Sequence, residues 1–495
     1  MQHFIKVVAM RAVRLAFFLL AVQTPLTAQQ DSVLAAPTGG SLQARAAQIV
    51  DGVSGDWSVF AWSIDGESTL ISINATEPLV PASNNKIFTG IWALDELGPE
   101  HRFHTDLLVA GPVESGVLRG DVVLRGSGDP AFGYPRRLGH PEFVEEPLTP
   151  LRTMAQQLVR EGVRVVEGDI VGDPAVFDTV LVGPDWPADT GAGAAQYAPR
   201  VSGLAFQRNM LWLVAIPRSG GPAEIRLDPP VDVIPVVATV RTGAGRALAV
   251  RRPDEDTIRI SGAVAGAGTH RYGVGVADPA LLAAGALTHA LREAGIEVRG
   301  AARVGATPED AILVHRHVSM PVGLMIPFLN QDSDNFFAEH LWKASAAAAT
   351  GIGSYHRGGP ASALHFIQNA GVPPGEIYQF DGSGLSGLSR TSAHALVRAL
   401  IYANRKPYAD LWHASMAVAA DPEGTLNRLF RGTPAAGNLH AKTGFIRGAR
   451  TLSGYVRSRS GELIAFSFLY NGGNTNGARA AQEDLGVLLS EHGGN

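Results

Sequence analysis

The chain contains two kinds of hydrophobic pattern, and they predict different secondary structures. Residues 57–75 alternate between apolar and polar positions on both sides of an Asp-Gly pair, which predicts a β-hairpin. Between residues 83 and 97 the apolar positions recur three or four residues apart, which predicts a helix with one buried face. The mature chain therefore begins with strands and a helix that share one core.

The middle of the chain differs from both of its ends. From about residue 106 to 305, short β-like segments follow one another with frequent Gly and Pro, which predicts a β-rich region with two lobes. A helix and a strand within 278–305 return the chain from this region. Helical periodicity resumes after about 310, and residues 451–471 form a second predicted hairpin before a last helix at 478–490. The two ends thus bracket a β-rich insert.

The first residues have the layout of a secretory signal peptide. Lys6, Arg11 and Arg14 precede the apolar run 15–22, and small residues follow at the end of the predicted signal, 1–28. The alternative is a membrane anchor, but the run is far shorter than the roughly 20 apolar residues that span a bilayer. A cleaved signal is the favoured interpretation, and no second long apolar segment predicts a membrane span.

Composition excludes several classes of function. The chain has 495 residues, a formal net charge of −5 and no cysteine, and we find no dense basic run that would bind nucleic acid. Absence of cysteine excludes disulfides, thiolate metal sites and lipid attachment through an N-terminal cysteine. The histidines are scattered, so neither a metal nor another cofactor is predicted. No Gly-x-Ser-x-Gly turn is present, which disfavours an α/β-hydrolase.

Three short motifs carry candidate chemistry. They are S-x-x-K at 83–86, S-D-N at 333–335 and K-T-G at 442–444. In the first, a serine and a lysine three residues apart lie on one face of a helix, and a serine hydroxyl needs such a neighbouring base to react. Each motif alone is common, but their order and their local context together indicate a serine acyl-transferase.

The set resembles the signature of penicillin-binding proteins and serine β-lactamases. About 250 residues separate Lys86 from Ser333, far more than in class A β-lactamases. This long insert is similar to that of the D-alanyl-D-alanine carboxypeptidase/endopeptidase family of type-4 penicillin-binding proteins (peptidase family S13). The segments 116–130, 380–386 and 421–426 also resemble signature stretches of that family.

The resemblance implies an α+β fold: a penicillin-binding-protein/serine β-lactamase-like transpeptidase domain, with an antiparallel sheet and a helical lobe, and a β-rich insert that forms two small domains. The expected boundaries are 29–105 with 306–495 for the catalytic domain and 106–305 for the insert. Within the insert, the expected subdomains are about 106–170 with 272–305, and about 171–271.

The resemblance also implies catalytic roles. Ser83 is expected to attack the carbonyl of the penultimate D-alanine and to form an acyl-enzyme. Lys86 is expected to be the base, with a pKa lowered by burial and by the positive charge of Lys442. Ser333 is expected to relay a proton between the base and the leaving nitrogen, whereas Asp334 is expected to be structural.

A second group of residues is expected to bind the substrate. Asn335 would bind the peptide amide and steady the catalytic lysine. Lys442 would attract the terminal carboxylate, with Thr443 as a hydrogen-bond donor to it. The backbone N–H groups of Phe445 and of the nucleophilic serine would form the oxyanion hole. Gly444 would leave room for the substrate backbone.

Two departures from the family pattern concern specificity. Several members carry an arginine directly after the D-G-S-G-L-S stretch, whereas this chain has Gly387 there and Arg390 three residues later. Arg447, three residues past the K-T-G motif, is our candidate for the missing carboxylate contact; the alternative is a solvated strand residue. Asp189 is a candidate contact for the ammonium of a diamino acid; the alternative is a loop aspartate.

The expected function is an exported, periplasmic DD-carboxypeptidase and DD-endopeptidase. Its partners would be peptidoglycan stem peptides, with β-lactam antibiotics as covalent inhibitors. The alternatives are a β-lactamase or a D-amino-acid esterase/amidase on the same scaffold, and a non-enzymatic peptidoglycan-binding scaffold. The presence of both motif lysines and both motif serines disfavours the last alternative.

Overall fold

The structure is a computed structural model. It describes residues 40–134, 146–187, 197–219, 221–243, 248–251, 257–266 and 268–493. The predicted signal peptide and Asp189 lie outside the described residues. Among the described residues, no helix combines the length and apolar character needed to cross a bilayer.

The N-terminal segment supplies two strands and two helices, of which the first helix was not predicted. The hairpin at 57–75 is confirmed, because its two strands pair antiparallel. The helix is confirmed, but it begins two residues later than the motif serine, which lies instead on a one-turn 3₁₀ helix, Ala82–Asn84. The elements are α1 Gly40–Asp51, β1 Asp56–Ser63, β2 Ser68–Ile73 and α2 Asn85–Glu96.

Most elements described in the insert are strands, and two helices pack on its sheets. Its elements are β3 Arg102–Ala110, β4 Val113–Glu114, β5 Val117–Leu118, β6 Asp121–Gly126, α3 Thr149–Arg160, β7 Val165–Val166, β8 Ile170–Asp173, β9 Met210–Ile216, β10 Glu224–Asp228, β11 Val236–Thr242, β12 Leu248–Arg251, β13 Ile258–Val264, β14 His270–Gly275, α4 Pro279–Glu293, β15 Glu297–Val298, β16 Ala302–Val304 and β17 Ile312–Pro321.

The C-terminal segment adds most of the helices and the rest of the central sheet. Its elements are α5 Val322–Asn330, α6 Asn335–Thr350, α7 Tyr355–Ala370, β18 Ile377–Tyr378, β19 Arg390–Thr391, α8 Ala393–Asn404, α9 Ala409–Ala414, β20 Ala417–Val418, β21 His440–Ile446, β22 Ala449–Arg457, β23 Leu463–Asn471 and α10 Thr475–Ser490.

Both ends of the chain build one antiparallel sheet, in the order β2-β1-β23-β22-β21-β20. The second predicted hairpin is confirmed as β22 and β23. Helices α1 and α10 contribute apolar side chains to the core on one face of the sheet, and α8 contacts the sheet from the helical lobe. With helices on both faces, nearly every residue of β23 is buried, which explains its almost continuously apolar sequence.

The strands of the insert form sheets of their own. The largest has the order β16-β8-β6-β3-β17, and its strands β3 and β17 pair antiparallel where the chain leaves and re-enters the catalytic part. This sheet therefore extends beyond the expected limits of 106–305 at both ends. Smaller sheets, β10-β9-β14 and β11-β13-β12, lie farther along the insert. The division into two subdomains stays a prediction.

Helix α2 lies at the centre of the helical lobe. Every residue from Asn85 to Leu94 is buried, which marks a helix enclosed on all sides rather than a surface helix. It packs against α6, and Trp92 meets Trp342 edge to face with ring centroids 6.1 Å apart. This packing brings the start of α2 next to the start of α6, and so brings the first two motifs together.

Candidate active site

Ser83 and Lys86 are direct neighbours, as their spacing predicts. The Lys86 Nζ lies 3.0 Å from the Ser83 Oγ. The lysine is fully buried, with 0% of its surface exposed. A serine hydroxyl paired with a buried amine is an arrangement suited to nucleophilic catalysis.

The Lys86 amine has two further partners, and both accept hydrogen bonds. The Oδ1 of Asn335 lies 2.7 Å from Nζ, and the backbone carbonyl of Ser383 lies 2.9 Å from it. The amide group of Asn335 is oriented by its other end, because its Nδ2 donates to the carbonyl of Tyr197 at 2.6 Å. Lys86 therefore has three oxygen partners, of which only the serine hydroxyl has a proton to give.

Burial controls the basicity of Lys86. Loss of solvation lowers its pKa from the usual value to about 8, although the charges of Glu339, Asp381 and Asp334 act in the opposite direction. An amine with such a pKa is deprotonated in a useful fraction of molecules near neutral pH, which a catalytic base requires.

The residues of the S-D-N motif have different surroundings. Asp334 caps α6 by accepting hydrogen bonds from the N–H groups of Phe336 and Phe337, and it also accepts from Arg208 of the insert at 2.6 Å. This agrees with a structural role. Ser333 has a left-handed backbone with φ of 57° and is partly exposed. Within the described part of the chain its hydroxyl makes no hydrogen bond, so the expected contact with Lys86 is not formed here.

The K-T-G motif lies on β21 and borders Ser83. Strand β20 pairs only with His440 and Ala441, so the outer edge of β21 has no neighbouring strand among the described residues from Lys442 onward. A Cβ on Gly444 would lie 3.0 Å from the Ser83 backbone nitrogen and 2.1 Å from the Thr451 Oγ1. Only glycine permits this close approach of the strand to Ser83.

Lys442 is also fully buried, and its amine has one hydrogen-bond partner among the described residues. Its Nζ donates to the carbonyl of Thr443 at 2.8 Å. Burial first, and the charge of Lys86 second, hold the pKa of Lys442 well below its usual value. We expected the charge of Lys442 to help lower the pKa of Lys86; in the structure, burial is the main cause for both lysines.

Sequence reasoning missed the residues that hold the Ser383 carbonyl. Both oxygens of Glu339 accept backbone hydrogen bonds from Gly382 and Ser383, at 3.0 and 2.6 Å. Asp381 accepts from the backbone of Gly384 and Ser386, at 2.9 and 2.7 Å. The available signal for Glu339 was its spacing, four residues after the motif asparagine and so on the same face of the helix.

The insert contacts this site with buried polar groups. The indole Nε1 of Trp186 donates to Asp381 at 2.8 Å. Nearby, the buried Lys343 donates to Asp178 and to the carbonyl of Val180, at 2.7 and 2.6 Å. The insert is therefore part of the wall around the site, which the sequence did not predict.

The described specificity candidates lie in two places, around the start of β19 and on the turn after β21. Gly387 faces the insert, since a Cβ there would lie 3.0 Å from a carboxylate oxygen of Asp185. Arg390 folds back onto its own loop and donates to the carbonyls of Gly387 and Ser389. Arg447 is exposed on the two-residue turn between β21 and β22, so our placement of it on a strand was wrong.

A shallow cavity of about 440 Å³ adjoins this turn. Phe445, Arg447 and Thr475 line it, together with three glycines of the neighbouring loops. It lies at the end of β21, beyond the K-T-G motif. The cavity therefore offers space for a ligand group that extends along the strand past the nucleophile.

Comparison with known proteins agrees with this geometry. Residues 41–492 match the model of the D-Ala-D-Ala carboxypeptidase 3 (S13) family. The chain is 32% identical over 450 residues to a D-alanyl-D-alanine carboxypeptidase of Actinomadura sp. strain R39, covering 86% of this chain and 79% of that one. It is 24% identical over 433 residues to the D-alanyl-D-alanine carboxypeptidase DacB of Haemophilus influenzae, covering 84% and 85%.

Solved structures show the same fold. The crystal structure of penicillin-binding protein 4 from Haemophilus influenzae matches with a TM-score of 0.73 and 22% identity, covering 89% of this chain and 99% of that one. A second structure of that protein, in complex with a β-lactam, matches with a TM-score of 0.70 and 22% identity over 89% and 97%. The expected α+β fold is thereby confirmed, and the chain belongs to the D-Ala-D-Ala carboxypeptidase 3 (S13) family.

Proposed function

We propose that the chain is a serine DD-peptidase that acts on peptidoglycan stem peptides. It would hydrolyse the terminal D-Ala-D-Ala bond, the cross-link between D-Ala and a diamino acid, or both, through an acyl-enzyme on Ser83. The observation that carries this proposal is the buried Lys86 amine, 3.0 Å from the Ser83 hydroxyl. Family membership and the β-lactam complex of a protein with the same fold support it.

The partners of Lys86 explain how it would act as the base. A neutral amine has two N–H groups and one lone pair. The Asn335 amide oxygen and the Ser383 carbonyl can only accept, and they lie 2.7 and 2.9 Å from Nζ. These two acceptors take both N–H groups, so the lone pair is directed at the Ser83 hydroxyl. The proton then passes to Lys86 as the serine oxygen attacks the substrate carbonyl.

The free edge of β21 would bind the substrate in an extended form. Backbone groups on an unpaired strand edge can pair with a peptide. Lys442 would meet the terminal carboxylate, with Thr443 as a further donor to it. The backbone N–H groups of Ser83 and Phe445 would stabilise the tetrahedral oxyanion. Gly444 would keep the path between strand and nucleophile open.

Proton return to the leaving amine completes acylation. We retain Ser333 for this relay, supported by its partial exposure and by its position two residues before Asn335. Its hydroxyl makes no hydrogen bond in the described structure, and it would turn toward Lys86 when substrate fills the site. Water then hydrolyses the acyl-enzyme and releases the shortened peptide.

Labelling with a fluorescent penicillin tests the proposal. Wild-type protein should gain one adduct by intact mass, mapped to Ser83, and should release it slowly. Ser83→Ala should gain none and should release no D-alanine from a stem peptide, while Ser460→Ala, an exposed turn residue, should behave as wild type. An adduct on Ser83→Ala would refute the assignment, and rapid release of hydrolysed penicillin would instead indicate a β-lactamase.

Location and specificity are part of the same proposal. The charged and apolar pattern at 1–28 supports export to the periplasm, where peptidoglycan lies. For a stem peptide with a diamino acid, we propose Arg447 as the contact for a free carboxylate, supported by its position beside the cavity at the end of β21. Asp189 remains our candidate for the ammonium of the same residue.

A further inference from the structure

Two buried carboxylates hold the loop 381–386 against the catalytic helices. Glu339 and Asp381 both have 0% of their surface exposed. Each accepts two backbone N–H groups of this one loop. Among the described residues, neither forms an ion pair with an Arg or Lys side chain. Burying a carboxylate without such a partner is costly. Stabilising the fold therefore does not explain why two carboxylates are buried here, and another requirement must account for them.

The requirement lies in a single peptide group, the one that joins Ser383 to Gly384. Its N–H donates to Asp381 at 2.9 Å, and its carbonyl accepts from the Lys86 Nζ at 2.9 Å. Glu339 holds the preceding peptide group by the Ser383 N–H at 2.6 Å. The two carboxylates therefore fix the position and direction of the carbonyl that faces the lysine.

The rest of the loop is anchored by neutral contacts. The side chain of Asn85 donates to the Asp381 carbonyl, and Thr89 donates to the Gly382 carbonyl, both at 2.6 Å. Gly384 passes so close to the turn of the nucleophile that a Cβ there would lie 1.8 Å from the Ala82 carbonyl oxygen. These contacts locate the loop, whereas only the carboxylates hold the N–H groups next to the Ser383 carbonyl.

We propose that Glu339 and Asp381 are positioning residues for acylation: together they hold the Ser383 carbonyl so that the Lys86 lone pair is directed at Ser83. This inference rests on the proposed role of Lys86 as the base. It extends that role to the insert, because Trp186 holds Asp381 by its indole N–H. The insert would thus support the base through one indole, one carboxylate and one peptide group.

Glu339→Gln is the principal test. The amide keeps the size of the side chain but has one acceptor and a donor, so it cannot hold both N–H groups. Misplacement of a catalytic group by about 1 Å can cost on the order of 100-fold, and we expect a loss of that order in the acylation rate by penicillin. Glu376→Gln is the matched control: it is also a buried glutamate, but it hydrogen-bonds Ser392 and His394, away from the loop.

The pH profile separates positioning from a merely structural role. The charged groups that face Lys86 are Glu339, Asp381, Asp334 and Lys442, and those that face Glu339 include Tyr355 and Lys343. In their charged forms Glu339 and Asp381 raise the pKa of Lys86, while burial first and the charge of Asp381 second raise the pKa of Glu339 itself to about 8. Replacing Glu339 by the neutral amide should therefore move the acidic limb of the acylation profile to lower pH. Loss of stability alone would not move it.

The outcomes are distinct. If Glu339→Gln acylates Ser83 more slowly and the acidic limb of its pH profile is shifted, the proposal is supported. If both the rate and the pH profile match the wild type, the proposal is overturned, although the acyl-enzyme on Ser83 would still stand. Failure of wild-type protein to label on Ser83 would instead refute the proposed function. If Glu339→Gln does not fold, Trp186→Phe removes only one donor to Asp381, and a loss of about three- to tenfold is expected. No loss in that variant would contradict the link to the insert.

Discussion

The site contains two fully buried lysines, and their surroundings differ. Lys86 has three oxygen partners within hydrogen-bond distance and three carboxylates close enough to affect its pKa. Lys442 donates to one carbonyl, and the acidic group that favours its charge is the exposed Asp332. The hydrogen bonds of the Lys86 amine are therefore satisfied without a ligand. Lys442 has one hydrogen-bond partner among the described residues, and burial together with the charge of Lys86 disfavours its protonated form.

This difference is consistent with the different tasks that we propose for the two lysines. A base must be held in one orientation and must be able to lose its proton, which the surroundings of Lys86 provide. An anion-binding group benefits from being incompletely compensated, because the ligand then supplies the missing charge. Buried as they both are, the two lysines can be tested separately through the substrate groups and the pH range on which each should depend.

The largest expected effect is on the base. Lys86→Arg should lower the acylation rate by about 10²- to 10⁴-fold, nearly as much as Lys86→Ala, because arginine stays charged and cannot accept the serine proton. Stopped-flow labelling with a fluorescent penicillin measures this rate. Near-wild-type acylation of Lys86→Arg would show that Lys86 is not the base.

Removal of the second lysine should depend on the substrate. Lys442→Gln should lower kcat/KM on a peptide with a free C-terminal carboxylate by about 10- to 150-fold, the range for a hydrogen bond to a charged group. On the same peptide with an amidated C-terminus the variant and the wild type should differ little. Equal losses on both peptides would indicate that Lys442 supports the fold of the site rather than the carboxylate.

The pH dependence should reflect Lys86. Because its pKa is lowered to about 8 and only the neutral amine accepts a proton, acylation should rise with pH up to that value. Below it, the rate should rise roughly tenfold per pH unit. A penicillin without a second titrating group is the appropriate probe, and Glu376→Gln serves as a control here too. A profile that is flat below this pKa would contradict a basic role for Lys86.

The same contrast shows what the sequence could predict. The hairpins, the helix after Ser83 and the β-rich insert follow from local periodicity, and the contact between Ser83 and Lys86 follows from a spacing of three residues. Glu339 carried a local signal, its spacing of four residues from the motif asparagine on one helix. No signal in the sequence indicated the Ser383 carbonyl, because every residue has a backbone carbonyl and the residue type does not show which one is used. Trp186 lies about 200 residues from Asp381, and only the folded chain shows that they meet.

The smallest expected effect concerns Arg447. It is exposed on the turn that ends β21, next to the cavity lined by Phe445 and Thr475. A planar guanidinium can bind both oxygens of the carboxylate on a diamino acid. Exposed ion pairs are weak, however, at about 0.2–1 kcal/mol. Arg447→Ala should therefore lower kcat/KM by no more than about fivefold on a stem peptide with that carboxylate free.

Amidation of the carboxylate supplies the control for Arg447. On the amidated stem peptide, Arg447→Ala should match the wild type, because no anion remains to be bound. Arg459→Ala removes an exposed arginine from the turn between β22 and β23 and should change neither substrate. A fivefold effect is small but well within reach of paired kcat/KM measurements, and the ratio between the two peptides cancels general effects on the fold. A ratio unchanged from wild type would mean that Arg447 is a solvated turn residue and that the carboxylate is bound elsewhere.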